Sequence, residues 1–351
     1  MAIDQVKLEA FMGNFVHDFG AVMHAATVVV GDKLGLYKAL TDGPLSADGL
    51  AKKTGTDARY VREWLSAQAA SGYVQYDPAT DNFSLTEEQA FALTVEDGPA
   101  FIPGAFEFAT AHFSAIPKMI AVFQTGEGFG WHQHDAALFR GTERFFRPGY
   151  AANLVKSWIP SLEGVEHKLK AGAQVADVGC GHGASTIIMA QAYPNATFAG
   201  FDYHEPSIRY ANDAAARAGV ADRVHFEVAS STAYPGKNYD LVTFFDCLHD
   251  MGNPIGASSH VLKSLGPDGT WMVVEPFAND RLEENLNPVG RIFYSASSFI
   301  CTPASRSQDG AMCLGAQAGE KRIREAVMQG GFTRFRRATE TPFNLVYEAR
   351  P

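Results

Sequence analysis

Apolar residues between positions 4 and 40 recur at helical spacing. Phe11, Phe15, Phe19 and Val22 fall three or four residues apart, the repeat of a single helix face. The pattern breaks at Gly43-Pro44. It resumes as SADGLAKKTG, in which Ser46 can cap a helix start and Gly55 can end it. A second helical run, DARYVREWLSAQAASG, closes at Gly72. Two short β-prone pieces follow, Tyr73–Tyr76 and Asn82–Leu85, on either side of a DPATD turn. Helix, turn, helix and hairpin predict a winged helix.

From 97 to 165 the chain is rich in aromatic residues and glycine, as in FEFATAHF, GEGFGWHQHD and RFFRPGY, and reads as irregular connecting helices. Beyond 171 strands and helices alternate. The expected strands are Gln174–Val178, Thr197–Asp202, Val224–Val228, Leu241–Asp246 and Thr270–Glu275, with helices such as 206–218 and 254–265 between them. That alternation predicts a parallel sheet covered on both faces. The last two β-prone pieces, FTRFRRATE and PFNLVYEARP, lie too close in sequence for a parallel crossover and must pair antiparallel.

Composition adds limits. A chain of 351 residues suits two domains, divided here as 1–165 and 166–351. A net charge of −10 argues against a broad electrostatic footprint for nucleic acid or anionic lipid. Cys180, Cys247, Cys301 and Cys313 form no CxxC pair and read as reduced thiols of a cytoplasmic protein. MAIDQVKLEA lacks the organisation of a signal peptide, and no apolar run approaches the roughly 20 residues of a membrane span, so a membrane partner is not expected.

The stretch VADVGCGHGAS, at the end of the first parallel strand, is the chemical focus. Gly179, Gly181 and Ala184 satisfy a dinucleotide pattern, G-x-G-x-x-A. Three features point instead to S-adenosylmethionine. Asp177 stands two residues before the first glycine, where it would repel a pyrophosphate but suits an ammonium and a sulfonium. The sheet ends antiparallel. No second βαβαβ half follows to hold a nicotinamide. Asp202 ends the next strand, 19 residues after Gly183, where a carboxylate can accept both ribose hydroxyls of either ligand.

VADVGCGHGAS, FDYHEPSI, YDLVTFFDCLHDM and WMVVEP together resemble the motifs of class I S-adenosylmethionine-dependent methyltransferases. With the winged-helix front end, the chain is similar to small-molecule O-methyltransferases and to their bacterial relatives labelled as regulators. The resemblance implies a Rossmann-like seven-stranded α/β domain with an antiparallel last strand, behind a mainly helical winged-helix and dimerisation domain. It implies that Gly179, Gly181 and Gly183 approach the methionine part of the cofactor, that Asp202 holds the ribose, and that Tyr203 lies against adenine. Ser230 falls where the family often has an acid near the adenine amine, and Asp246 falls at the methionine end. Tyr150, in RPGY, is a candidate to fold over the cofactor.

The same resemblance places His249, in LHDM, as the base that takes the acceptor's proton, with Glu275 orienting it; a second supporting acid has no clear counterpart beyond the neighbourhood of Asp309. The implied acceptor is a small molecule with a reactive oxygen. Phe106, Phe108, Phe113, Phe123, Phe129 and Trp131 are either the roof of an aromatic pocket or ordinary core. His132 and His134 supply only two ligands without clustered carboxylates, so no metal is expected there. The alternative to an enzyme is a cofactor-binding transcriptional regulator. Against it, residues 25–95 carry six Lys or Arg and nine Asp or Glu, and the candidate recognition helix is neutral. A homodimer built on the Phe11–Met23 stripe is the expected use of the front end.

Overall fold

The computed structural model describes residues 3–351, which fall into two compact units. One comprises residues up to Phe113 with Arg140–Pro148, and the other Ser114–Phe139 with Gly149–Pro351.

The first unit opens with a long helix, Gln5–Lys33. Asp4 starts it by accepting the N–H groups of Val6 and Lys7 at 3.1 and 3.2 Å, two of the donors that a helix start leaves unpaired. Only its C-terminal part is buried, at His24, Ala25, Val28 and Gly31. Gly31 must be glycine, because a Cβ there would stand 2.3 Å from the Trp64 indole. Helices Ala47–Thr54 and Ala58–Ala70 follow, and Ser46 caps the first of them through the N–H of Gly49 at 3.1 Å. Their apolar faces enclose Leu50, Val61 and Leu65 with Phe83 of the hairpin. The hairpin is β1 (Gln75–Asp77) and β2 (Asn82–Ser84). It starts later than the expected Tyr73, because the Tyr73 N–H is drawn back to the Gln68 carbonyl at 2.9 Å and closes the preceding helix.

A buried ion cluster ties this unit together. Arg144, on helix Ala136–Asn153, donates to Asp32, Glu96 and Glu107 at 2.7–3.1 Å. Lys33 reaches the buried Glu107 from the other side at 2.7 Å. Four segments far apart in sequence thus bring three carboxylates together around one guanidinium fork.

The second unit is a seven-stranded sheet. Its strands are β3 (Gln174–Val178), β4 (Thr197–Asp202), β5 (Val224–Val228), β6 (Tyr239–Phe245), β7 (Leu265–Pro276), β8 (Arg334–Glu340) and β9 (Asn344–Arg350). The order is β5-β4-β3-β6-β7-β9-β8, with β9 antiparallel to both of its neighbours and the others parallel. The first three strands lie where the sequence predicts them. β7 begins earlier than the expected Thr270, since Leu265 pairs with Tyr239 before an irregularity resets the register at Thr270 and Leu241. The middle strands are mainly apolar, as a sheet buried on both faces requires. Val273 and Val274 are fully buried, each side chain contributing about 1.5–3 kcal/mol. β8 forms an edge and carries Arg334, Arg336 and Arg337, charges that discourage pairing with another chain.

Candidate active site

The candidate side chains of the second unit gather at the carboxyl ends of its parallel strands, the edge where open α/β sheets bind ligands. After β3 the chain turns through Gly179, Gly181 and Gly183, whose φ angles of 75°, 51° and 79° favour glycine. Two of these glycines also make room for packing. A Cβ on Gly179 would meet the Cys247 sulfur at 2.7 Å, and one on Gly183 the Phe226 ring at 2.5 Å. Gly181 is different: a Cβ there would meet nothing within 4 Å. Its left-handed turn therefore opens onto free space, the cradle that a ligand lying along the loop needs.

Asp202, at the end of β4, accepts the Gly181 N–H on Oδ2 at 3.0 Å and the His204 N–H on Oδ1 at 2.8 Å. Burial raises its pKa, against the pull of those two N–H donors. Tyr203 beside it is exposed, with the His132 ring edge-on at 6.0 Å. Ser230, past the end of β5, is exposed and sits 3.4 Å from the Thr232 hydroxyl. Asp177 faces inward. Its Oδ2 takes the hydroxyls of Ser185 and Thr186 at 2.7 and 2.5 Å, and its Oδ1 that of Thr243 at 3.0 Å. Both oxygens are thus engaged within the protein, so its charge acts from behind the glycine loop and braces the following helix rather than meeting a ligand's cations by contact.

Asp246 follows β6 with φ at 50°, a conformation that side-chain-bearing residues rarely adopt. Its carboxylate accepts the Tyr150 hydroxyl at 3.0 Å and the Asn344 amide at 2.9 Å. Burial, reinforced by the charge of Glu275, pushes its pKa up to about 8. Tyr150 is itself buried, its ring 5.2 Å from that of Phe245.

His249 lies in a single turn, Leu248–Asp250, and is buried. Its Nδ1 makes a short hydrogen bond to Oε2 of Glu275, whose Oε1 accepts the Leu248 N–H at 3.0 Å. Glu275 therefore fixes both the ring and the backbone that carries it. The other ring nitrogen, Nε2, lies 3.1 Å from Oδ1 of Asp250, and the Cys301 sulfur completes its surroundings. Burial alone would lower the imidazole pKa, yet the two carboxylates reverse that and hold it well above its ordinary value. Burial keeps the thiols of Cys180, Cys247 and Cys301 protonated, the last pushed up to about 12.

Other sequence candidates disperse. Phe106 and Phe108 pack within the first unit, against Tyr73 and Phe145. Phe113 and Phe123 are exposed, while Phe129 packs with Ala115 and Met119. His134 sits 4.5 Å from the Phe129 ring, an aromatic contact. Two partners escaped sequence reasoning. Asn344 lies 98 residues from Asp246, and Cys301 stands outside every recognisable motif, so only the fold brings them to the site.

Residues 169–319 match the family described as a methyltransferase domain, and residues 22–95 match the Rv2258c-like winged HTH domain. The 27-O-demethylrifamycin SV methyltransferase of Amycolatopsis mediterranei is 31% identical over 159 residues, covering 45% of this chain and 47% of that protein. The chain thus spans less than half the length of the curated relatives that it matches. Among solved structures, the mitomycin 7-O-methyltransferase MmcR superposes with a TM-score of 0.71 at 17% identity, covering 99% of this chain and 100% of that one. Human N-acetylserotonin methyltransferase in complex with SAM gives 0.72 at 14% identity, covering 99% and 98%. At those identities the likeness is one of fold.

Proposed function

Because the chain joins a class I methyltransferase domain to an N-terminal winged helix-turn-helix domain, we propose that it transfers a methyl group from S-adenosylmethionine to an oxygen of a small-molecule acceptor. Residues 1–165 then serve as the dimerising front part and 166–351 as the catalytic part. The observation that carries the reading is the glycine loop, open at Gly181 and tied through its N–H to the acid that ends the next strand. The named activity of the rifamycin relative and the SAM carried by the human neighbour support the same chemistry.

When bound, S-adenosylmethionine supplies a methyl group on a sulfonium. The residues of this chain do the rest. Gly181 would give the cofactor room, Asp202 would accept ribose hydroxyls, Tyr203 would lie against adenine, and Ser230 would serve its amine. Asp246, steadied by Tyr150 and Asn344, presents a carboxylate towards the methionine end. His249 takes the acceptor's proton on Nε2. In the free protein that nitrogen faces Asp250, which is partly exposed. An entering hydroxyl displaces the carboxylate, and with one of the two flanking negative charges moved away Nε2 gives up its own proton to solvent, which frees it to accept the acceptor's. Glu275 keeps Nδ1 protonated and the ring in place.

Calorimetry with S-adenosylhomocysteine tests the cofactor assignment. Asp202→Ala is expected to weaken binding by about 1.5–3 kcal/mol, the scale of hydrogen bonds to a charged group. Binding unchanged by that substitution, or no binding to the native chain, would sink the assignment.

The partner reading is a second copy of this chain. Phe11, Phe15, Phe19 and Met23 are 68%, 50%, 55% and 61% exposed along one helix, more contiguous apolar surface than a solitary chain tends to leave in water. Both arginines of the winged-helix segment are already paired, Arg59 with Glu63 at 2.5 Å and Arg62 with Asp81 at 2.8 Å, which speaks against a role on DNA. Light scattering is expected to give a dimer, and joint replacement of Phe11, Phe15 and Phe19 by Ser a monomer. A native monomer would rule the dimer out. No helix among the described residues is long and apolar enough to cross a membrane, in keeping with an enzyme working in the cytoplasm.

A further inference from the structure

Three side chains of different ligating chemistry converge beside Glu275. A ring nitrogen of His249, a carboxylate oxygen of Asp250 and the Cys301 sulfur all lie within 4.8 Å of one another. We propose that these three residues form a binding site for a thiophilic divalent cation, Zn²⁺ in the first place. Nitrogen, oxygen and sulfur donors are the set from which zinc sites are built, and three protein ligands leave the fourth tetrahedral position open.

The surroundings are those of a prepared site. Glu275 holds His249 through Nδ1, the carboxylate–histidine arrangement that turns the Nε2 lone pair towards a metal and raises its basicity. Asp250 Oδ1 is shielded from solvent, yet no donor among the described residues satisfies it with proper hydrogen-bond geometry. A buried acceptor in that condition is costly, and a cation would relieve it. The two segments that carry the ligands are already fastened together. Ser305 donates to the Met251 carbonyl at 2.9 Å, Gln308 to the Asp250 carbonyl at 3.0 Å, and the Gly315 N–H to the His249 carbonyl at 3.3 Å. Little ordering is left for binding to accomplish. The charges also balance: Cys301 and Nε2 of His249 each shed a proton to solvent as the Zn–S and Zn–N bonds form, and thiolate plus carboxylate neutralise the ion. Sequence reading points away from metal because it finds only His132 and His134; the cysteine here comes from a helix 51 positions beyond Asp250 and joins the other two only in the fold.

Occupancy has a consequence that rests on the methyl-transfer reading: a metal on Nε2 occupies the lone pair that the acceptor's proton requires. Zn²⁺ therefore inhibits transfer, and the inhibition depends on Cys301. The test starts from full-length protein stripped with a chelator. Titration with Cd²⁺ is expected to raise an ultraviolet thiolate-to-metal absorption that saturates at one equivalent, and calorimetry to show Zn²⁺ binding. Cys301→Ser, with Cys301→Ala as a second variant should the first misfold, is expected to lose that absorption and to bind Zn²⁺ at least about tenfold more weakly. Glu275→Gln should weaken it by about 10–100-fold while leaving the absorption in place. Added Zn²⁺ is expected to inhibit the metal-free native chain and to leave whatever turnover metal-free Cys301→Ser retains unchanged. Absence of the Cd²⁺ band, or equal Zn²⁺ affinity in Cys301→Ser, Asp250→Asn and the native chain, would overturn the proposal. The metal titrations need no turnover, so an inactive metal-free protein would count against the transfer reading alone.

Discussion

His249→Ala is expected to lower turnover on the true acceptor by about 10²–10⁴-fold, the usual contribution of a positioned general base, and to leave S-adenosylhomocysteine affinity nearly unchanged. In barrier terms that is about 2.7–5.4 kcal/mol. The split between turnover and cofactor binding follows from the geometry. His249 bonds to Glu275 and faces Asp250 and Cys301, whereas the glycine loop is tied to Asp202. Glu275→Gln should cost less, because an amide still reaches the Leu248 N–H but no longer fixes the ring's tautomer. Acceptors provide an internal control. A phenol acidic enough to arrive already ionised needs no base, so the defect of His249→Ala should shrink as acceptor acidity rises. A defect of constant size across such a series, or no defect at all, would remove His249 from the proton's path. Catalysis would then rest on proximity, and nitrogen or carbon would be as good an acceptor as oxygen.

The second large effect is on stability. Arg144→Ala is expected to destabilise the first unit by about 3–5 kcal/mol, the scale seen when one partner of a buried ion pair is removed. Arg144 is nearly buried, and it neutralises Asp32 and Glu107 through a single fork while also reaching Glu96. Without it, Glu107 keeps Lys33 and a longer contact with Arg140, but Asp32 loses its guanidinium partner. Its guanidinium also lies 5.1 Å from the Phe101 ring centre, so alanine removes packing as well as charge. Arg144→Lys should fall between the two, retaining a charge but not the two-pronged geometry. Denaturant unfolding of the full chain measures all three. A loss below about 1 kcal/mol for alanine would place this cluster with ordinary surface pairs.

The parts of this molecule that were legible in advance are those written in short stretches of sequence. Strand β3 is stopped by Gly179 and β4 by the helix start at Glu205, and their largely apolar runs leave little freedom of register. The winged helix announces itself through Ser46, Gly55 and Gly72. The glycine loop and Asp202 are local as well, because one strand and the next suffice to bring them together. What could not be read are the partners that arrive from elsewhere. Asp177 looks like a ligand from its place in the motif, yet Thr243 from β6 and two hydroxyls of the next helix occupy it. The Arg144 cluster joins residues up to 112 positions apart, and no periodicity carries that information. Cys301 reads as one more reduced thiol until the fold sets it beside His249. Aromatic side chains between 97 and 165 defeat the eye for a simpler reason: phenylalanine at helical spacing fits a core and a pocket equally well.

The position of β9 bears on how this sheet is assembled. β9 follows β8 in the chain but lies between β7 and β8, so β8 has no place on the sheet until β9 is there. The two must enter as a preformed hairpin, or β9 must thread in first and draw β8 after it. Until then the edge of β7 stays open, its hydrogen-bonding groups free to find a wrong partner. Insertion also brings Asn344 to Asp246 across the register of β9 with β7. The surroundings of Asp246 are thus completed by the same event that closes the sheet. A ligand that grips the Asp246 end would bind the completed state and draw the equilibrium towards it by mass action. Refolding with S-adenosylhomocysteine present should accordingly yield more native protein than refolding without it, the gain arising at the step in which the C-terminal hairpin docks.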